Sequence, residues 1–422
     1  MELAKEMKDF PTNSADTLFY DALHDHIGEA MVRARTSSKA ALARRLVCIE
    51  VPLRCTARQR MVNVSCACVY CWGLQPKGAD GKCAHALMVP SVKDKNLCVM
   101  PGRVDVGRHY IATGGVEGLK ESYDILLSRV LSFGRYMFEP NKYPIVANLF
   151  ASSEFQELAA AVCPANQRVL DPFQFNFIAQ VPGQTVAAHI DAPYFWGATR
   201  FQFPQWLLAA MVFSGLFQDQ FVNQVQVVAY FHQWSDVNGT RGGDFLYWNT
   251  SNPVPFHVPP KPLSASSVDG SKTVHAAAVF QPDAMPPIMD KSANNVLRYV
   301  GDDKWTVLSN EEVRANYTTD DLRFSIVYRA RCFASEEERN RFHAQQPEDM
   351  MTLDSVLSTF RADLERRGIL SAKQQVAPLD FALLLLKTYF QYPTAHDAVL
   401  PWNYCALDRL SPAWSWLTRL MC

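Results

Sequence analysis

The sequence predicts a mainly β core with α flanks, an α+β chain whose centre is a double-stranded β-helix (jelly roll) buttressed by N- and C-terminal helices. Three observations carry this. Short β-rich runs, FQFNFIAQV, TVAAHID, VQVVAYFHQW, DFLYW, TVHAAAVF and LRFSIVYRARCF, follow one another between Val169 and Phe333, punctuated by Gly and Pro. No helical pattern separates each pair of runs, which favours two packed antiparallel sheets over a βαβ fold. Helix-like segments lie on both sides of this region.

Taken in order, residues 1–165 form an extension of mixed helix and strand. Leu18, Tyr20, Leu23 and Ile27 recur at helical intervals. The run from Val116 to Phe138 sets Leu119, Tyr123, Leu126, Leu127 and Val130 on one face, which predicts an amphipathic helix against a sheet. Residues 166–334 hold the strands and one interruption, Pro204 to Gln218, too long and too rich in Ala and Leu for a strand and therefore expected as a helix. The segments Pro253 to Pro262 and Pro282 to Asn295 read as loops. Residues 335–422 return to helix: Ser335 is an N-cap before three acidic residues, and LDFALLLLKTYF is a buried helix expected to cover the barrel.

At 422 residues, with 48% hydrophobic and 12% aromatic side chains, the chain can bury one large core with extensions. The 41 basic and 42 acidic residues nearly cancel, which argues against a nucleic-acid partner. MELAKEMKDF lacks a secretory pattern, and no apolar run approaches the roughly 18 residues of a membrane span. A soluble, cytoplasmic protein is expected, with its eleven cysteines as free thiols. A structural zinc site at Cys66, Cys68, Cys71, Cys83 and His85 is the alternative for one cluster, although its spacing matches no common finger.

The residues that point to chemistry begin with His189-Ile-Asp191. On a strand, positions two apart share a face, so both side chains can reach one metal. Val274-His275 offers a second imidazole, with small residues following it; His232 is nearer in sequence and His257 lies between prolines, and both are rivals for that position. Two imidazoles and one carboxylate on one side of Fe(II) leave three positions for a co-substrate and O₂. Later, Arg323 and Ser325 alternate onto one face, with Arg329 and Arg331 following on that face unless a bulge intervenes. Arg298 is a rival for the role of Arg323. Asn176, alternating with Gln174, is a candidate polar contact.

His-x-Asp, a distal His and an Arg-x-Ser in this order resemble the Fe(II)/2-oxoglutarate oxygenase superfamily, over roughly Val169 to Phe333. GGDFLYW resembles a strand found between the metal motifs of several members. The resemblance implies that His189, Asp191 and His275 ligate iron. It further implies that Arg323 and Ser325 hold 2-oxoglutarate and that Tyr194, Trp196 and Arg200 meet a small-molecule substrate; by their strand positions Asn176 is expected to join the co-substrate contacts and Arg329 to meet a substrate carboxylate. Oxidative decarboxylation of the co-substrate would drive attack on an unactivated C–H bond, with hydroxylation, desaturation or ring closure as outcomes.

The flanks and the long metal spacing are similar, loosely, to an algal group that includes the kainoid synthases, which implies a carboxylate-bearing, amino-acid-like substrate. Two other readings stand beside it: a hydroxylase of a peptide or other macromolecule, and a non-catalytic cupin-like module with a coincidental triad.

Overall fold

The computed structural model describes residues 9–13, 74–76, 89–90, 97–99, 121, 123–137, 144–198, 203–234, 240–249, 254–289, 293–390, 412–414, 416–417 and 420. Its strands are β1 (Asp9–Asn13), β2 (Leu74–Pro76), β3 (Val89–Pro90), β4 (Leu97–Val99), β5 (Ser132–Met137), β6 (Val169–Gln180), β7 (Val186–His189), β8 (Tyr194–Phe195) and β9 (Phe221–Val222). Then come β10 (Gln224–Tyr230), β11 (Phe245–Tyr247), β12 (Phe256–Val258), β13 (Ala265–Val268), β14 (His275–Ala277), β15 (Asn295–Gly301), β16 (Lys304–Ser309), β17 (Glu312–Thr318) and β18 (Arg323–Phe333). The main helices are α1 (Tyr123–Val130), α2 (Pro144–Ala151), α3 (Ser153–Val162), α4 (Gln205–Ser214), α5 (Glu336–Ala344), α6 (Leu353–Arg366) and α7 (Pro378–Tyr389).

Two antiparallel sheets position the site. The larger runs β13-β10-β18-β6-β5-β1-β15-β16-β17, and the smaller runs β12-β11-β14-β7. Alternation gives the larger sheet its two faces. Phe175 and Phe177 of β6, Phe324 and Ile326 of β18, and Val225 and Val227 of β10 share one core with Phe155 of α3. The intervening residues, Gln174, Asn176, Gln180, Gln224, Gln226, Arg323, Ser325 and Arg329, are buried too. They turn to the other face, towards the smaller sheet, so the space between the sheets is polar rather than oily.

Several expectations are corrected. Instead of one helix over 116–138, α1 ends at Val130 and β5 follows, pairing with β6 from Phe133↔Ala179 to Met137↔Phe175. Part of the Pro253 to Pro262 loop is the edge strand β12, where Phe256 pairs with Tyr247. The β15–β17 meander was not foreseen. Its turns use Asp302, Asp303, Asn310 and Glu311 at positive φ, the chemistry of tight hairpins without the usual glycine.

Among the described residues of the tail, α5 covers the larger sheet through Phe342 against Phe333, Phe173 and Tyr194, with the Ser335 hydroxyl accepting from the Glu338 N–H at 3.1 Å as its cap. Helices α6 and α7 instead bury Phe360, Leu364, Phe381 and Leu385 against Trp206, Leu207 and Leu208 of α4, a second core that meets the sheets at Ile190 and Phe195.

The free-thiol expectation fails at two positions. Cys163, at the C-terminus of α3, is disulfide-bonded to Cys332 of β18, with Cα atoms 5.9 Å apart. Their 169-residue separation hides the pairing from any local spacing. A buried disulfide belongs to oxidising surroundings, so the thiol count no longer supports the cytoplasm. Cys66, Cys68, Cys71, Cys83 and His85, and the segment around Leu18 to Ile27, lie outside the described residues. No helix among the described residues is long and apolar enough to cross a membrane.

Because α3 and β18 are joined covalently only there, Cys332→Ser is expected to lower unfolding stability by about 2–4 kcal/mol in urea under non-reducing conditions. Peptide mapping without reductant should yield the Cys163–Cys332 linked fragment, and recovery of both as free thiols would refute the bridge.

Candidate metal centre

Strand pairing builds the site. His189 ends β7 and His275 opens β14, and the two are direct partners across the antiparallel ladder, so their rings share a face with centroids 4.3 Å apart. Asp191 lies two residues past the end of β7, held by its N–H donating to the Gly270 carbonyl at 2.8 Å. The Asp191 oxygens stand 3.7 Å from His189 Nε2 and 3.9 Å from His275 Nε2. One donor atom from each residue falls within 4.8 Å of the others, a set that could hold a metal ion.

The imidazoles are pre-set for ligation. His189 Nδ1 lies 2.6 Å from the Ala187 carbonyl and His275 Nδ1 2.9 Å from the Thr273 carbonyl. A carbonyl only accepts, so each Nδ1 carries its proton and in the neutral ring each Nε2 bears the lone pair, which at His275 also accepts from Gln226 Nε2 at 3.3 Å. Burial alone would raise the Asp191 carboxyl, but the Arg329 guanidinium, the largest opposing influence, holds the group well below the usual carboxylate range. It is therefore an anionic ligand at neutral pH.

Gly270 makes the space. A Cβ there would come within 2.7 Å of Asp191 Oδ2, 2.8 Å of Gln226 Oε1 and 3.0 Å of the His275 ring. Asp269 fixes this turn from inside the protein, accepting from the Gln224 N–H at 3.1 Å and from the Ser271 hydroxyl at 2.5 Å.

Further along the same interior, Arg323 donates to Gln180 and stacks on Tyr230 with its guanidinium carbon 5.0 Å from the ring centre. Ser325 pairs with Tyr230 across β18 and β10. A Cβ on Gly243, which has φ +78°, would sit 3.1 Å from the Arg323 Cδ and Nε, so the glycines of GGDFLYW let the backbone pass over this arginine. Burial pushes the Tyr230 phenol up, against the opposing pull of Arg323, so its hydroxyl keeps a proton to donate.

Among the described residues, Asp191 Oδ2, Arg329 Nε, Gln224 Nε2, Gln226 Oε1 and Gln180 Nε2 are buried without a hydrogen bond. Each such atom costs about 1–3 kcal/mol. Their concentration between the two sheets fits a polar ligand set. The two imidazoles and carboxylate fit Fe(II), and the buried guanidinium of Arg323 on the same inner face has the chemistry to hold a carboxylate such as that of 2-oxoglutarate.

The remaining sequence candidates divide. Asn176 lies on the inner face, accepting from Gln174 Nε2 at 3.1 Å. Tyr194 and Trp196, expected to meet a substrate, lie in the aromatic packing around Phe173, Phe333 and Phe342. Arg331 is on the Arg323 face but is spent on Asp171 at 2.6 Å.

Arg329 is no free substrate cation either: its terminal nitrogens donate to Gln174, Gln224 and the Ala192 carbonyl. Arg298 pairs with Glu311 at 3.0 Å on the β15 side of the sheet. His232 hydrogen-bonds the Pro260 carbonyl and stacks on Trp234, and exposed His257 faces Asp244; neither joins the triad. Arg200 lies outside the described residues.

Sequence reasoning missed Gln180, Gln224, Gln226, Tyr230 and Gly270. A signal existed for three of them: in QVQVVAY the polar residues and Tyr230 recur with period two inside a strand buried along its whole length. Gly270, inside SVDGSK, reads as an ordinary turn.

No family model matches the chain, and no curated protein matches it. Among solved structures it is similar to a prolyl-4-hydroxylase from Pseudomonas putida, at 11% identity and TM-score 0.26, covering 48% of this chain and 72% of that one. It is similar to an oxidoreductase of the 2OG-Fe(II) oxygenase family from Burkholderia pseudomallei, at 12% and 0.26, covering 48% and 66%. A prolyl hydroxylase from Trichoplax adhaerens in complex with a hypoxia inducible factor peptide fragment gives 11% and 0.26, covering 50% and 65%. The chain thus spans just under two thirds of the length of the last two. These likenesses are distant, and the functional reading rests on the side chains described above.

Gly270→Ala is expected to weaken metal binding by roughly a hundred-fold, the upper range for losing a ligand's support, with thermal unfolding of the metal-free protein little changed. His232→Gln should leave metal affinity intact. Calorimetric titration of Mn(II) into each variant checks both, and loss of binding in His232→Gln would reassign the third ligand.

Proposed function

We propose that this chain is a non-haem Fe(II) oxygenase that consumes 2-oxoglutarate and O₂ to oxidise an unactivated C–H bond. The observation that carries this reading is the pairing of His189 with His275 beside Asp191, both Nδ1 protons tied back, on an interior that also buries Arg323. Bound Fe(II) would supply the oxidation, with one oxygen atom of O₂ passing to succinate as CO₂ leaves and the other available to the substrate.

In this reading His189, Asp191 and His275 hold the metal from one side. Arg323 takes the distal carboxylate of 2-oxoglutarate in parallel hydrogen bonds, with the Ser325 and Tyr230 hydroxyls as added donors and Asn176 as a polar contact. The protein's own work is to position and to keep water out, and the burial of these groups suits both.

The strand order supports a double-stranded β-helix at the centre. Along the chain, β6, β10, β13 and β18 go to one sheet and β7, β11, β12 and β14 to the other, with β5, β1 and β15–β17 extending the first.

For the substrate we infer a compact, amino-acid-like molecule bearing a carboxylate, hydroxylated or closed into a ring, with kainoid-type cyclisation as one form. The enclosed, amide-lined interior supports a small polar substrate. A peptide is the second reading, favoured by half-exposed Phe256, stacked on Tyr247 at 5.0 Å beside the strand that carries His275. An aromatic surface next to the metal ligands suits a longer chain.

Succinate formation by the Fe(II)-loaded protein in air, with panels of free and N-alkylated amino acids and of peptides, tests the proposal. Succinate stimulated by one panel is expected, and it is lost in His275→Ala. Arg323→Leu should raise the KM for 2-oxoglutarate about ten- to hundred-fold, the loss of one or two charged hydrogen bonds. A wild-type protein that neither retains iron nor forms succinate sinks the oxygenase reading.

A further inference from the structure

We infer that Arg329 confines Asp191 to one metal-binding oxygen and thereby keeps coordination positions open, a positioning role that rests on the metal-centre reading above. The guanidinium is fixed from three directions. Its Nη1 donates to Gln174 Oε1 on β6 at 3.1 Å, and its Nη2 donates to Gln224 Oε1 on β10 at 2.7 Å and to the Ala192 carbonyl at 3.2 Å. The Phe173 ring lies 5.0 Å from its central carbon.

All these hydrogen-bond partners are neutral, so the charge of Arg329 remains available to Asp191. Three of its five N–H donors are thus engaged, and of the rest the Nε–H is the one that faces Asp191. It is buried without a hydrogen bond and stands 3.7 Å from Asp191 Oδ2, which is also buried without one. A charge-assisted bond of about 2.8 Å requires the carboxylate to move by roughly an ångström. The other oxygen, Oδ1, already faces His189 Nε2.

Engaging Oδ2 in this way leaves Oδ1 as the single donor to the metal. A carboxylate chelating through both oxygens would occupy one more position, and the co-substrate and O₂ need three. A lysine could supply the charge but not the orientation, because only the planar fork is gripped by Gln174 and Gln224. The cation also repels a divalent metal, so the effect of Arg329 is expected in coordination and co-substrate binding more than in metal affinity.

Co(II) titrated into the metal-free full-length protein reports coordination through its d–d absorption, and 2-oxoglutarate titrated into that complex reports the open positions. Arg329→Met should alter the Co(II) spectrum and raise the Kd for 2-oxoglutarate about ten- to hundred-fold, while keeping a cooperative thermal melt. Arg329→Lys should remain impaired; a wild-type spectrum there would overturn positioning in favour of charge alone. Should Arg329→Met not fold, Gln224→Leu, which loosens the grip without touching the charge, is expected to shift both readouts in the same direction by less. Wild-type spectra and affinities in every folded variant overturn the inference, whereas wild-type protein that takes up no Co(II) removes the metal centre itself.

Discussion

The antiparallel pairing of β7 with β14 is the constraint on which the site depends. It sets His189 directly opposite His275, and a slip of one residue in either strand would turn that imidazole to the far side of the sheet. The pairing is short, and its register shifts between His275 and Ala277. It is held instead by what flanks it: β11 on the far side of β14 and the Gly270 turn above it, which Asp269 ties to the Gln224 backbone of the facing sheet. The metal face is thus a product of both sheets, although its imidazoles come from one.

The second constraint is the polarity between the sheets. An interior between the sheets filled with Leu and Val would be the cheaper way to make a stable protein, yet here the inner face carries Gln174, Gln180, Gln224, Gln226, Arg323 and Arg329. Stability is recovered elsewhere. The opposite face of the larger sheet packs Phe175, Phe177, Trp305 and Phe324 with α2 and α3, and α4, α6 and α7 form a further apolar core. Burying such aromatic side chains contributes about 1.5–3 kcal/mol each, enough to offset an interior that leaves hydrogen bonds unmade.

Much of this was legible in the sequence, for physical reasons that differ by residue. His189 and Asp191 were visible because their spacing is local, and Arg323 with Ser325 because a long strand reports its faces by alternation. His275 stood out from His232 through the small residues after it, and the 84 residues from Asp191 to His275 are accounted for by α4, which packs with α6 and α7, and by the strands between. The Cys163–Cys332 bridge and the Gly270 turn were not legible. Each depends on residues far apart in the chain meeting in space, and no period or spacing encodes that.

Arg323 and Arg329 show how similar strand positions acquire different work. Both are buried cations on one face of β18, six residues apart, and alternation alone does not tell them apart. Their neighbours separate them. Arg323 is stacked on Tyr230 and flanked by Ser325 and a glycine that yields it room, surroundings suited to a carboxylate that arrives from outside. Arg329 is gripped by two glutamines and a carbonyl, and the anion it faces is already part of the protein. A guanidinium whose terminal nitrogens are occupied can orient but cannot capture. The distance between binding a ligand and supporting one is therefore set here by the amides of Gln174 and Gln224, two uncharged side chains on neighbouring strands.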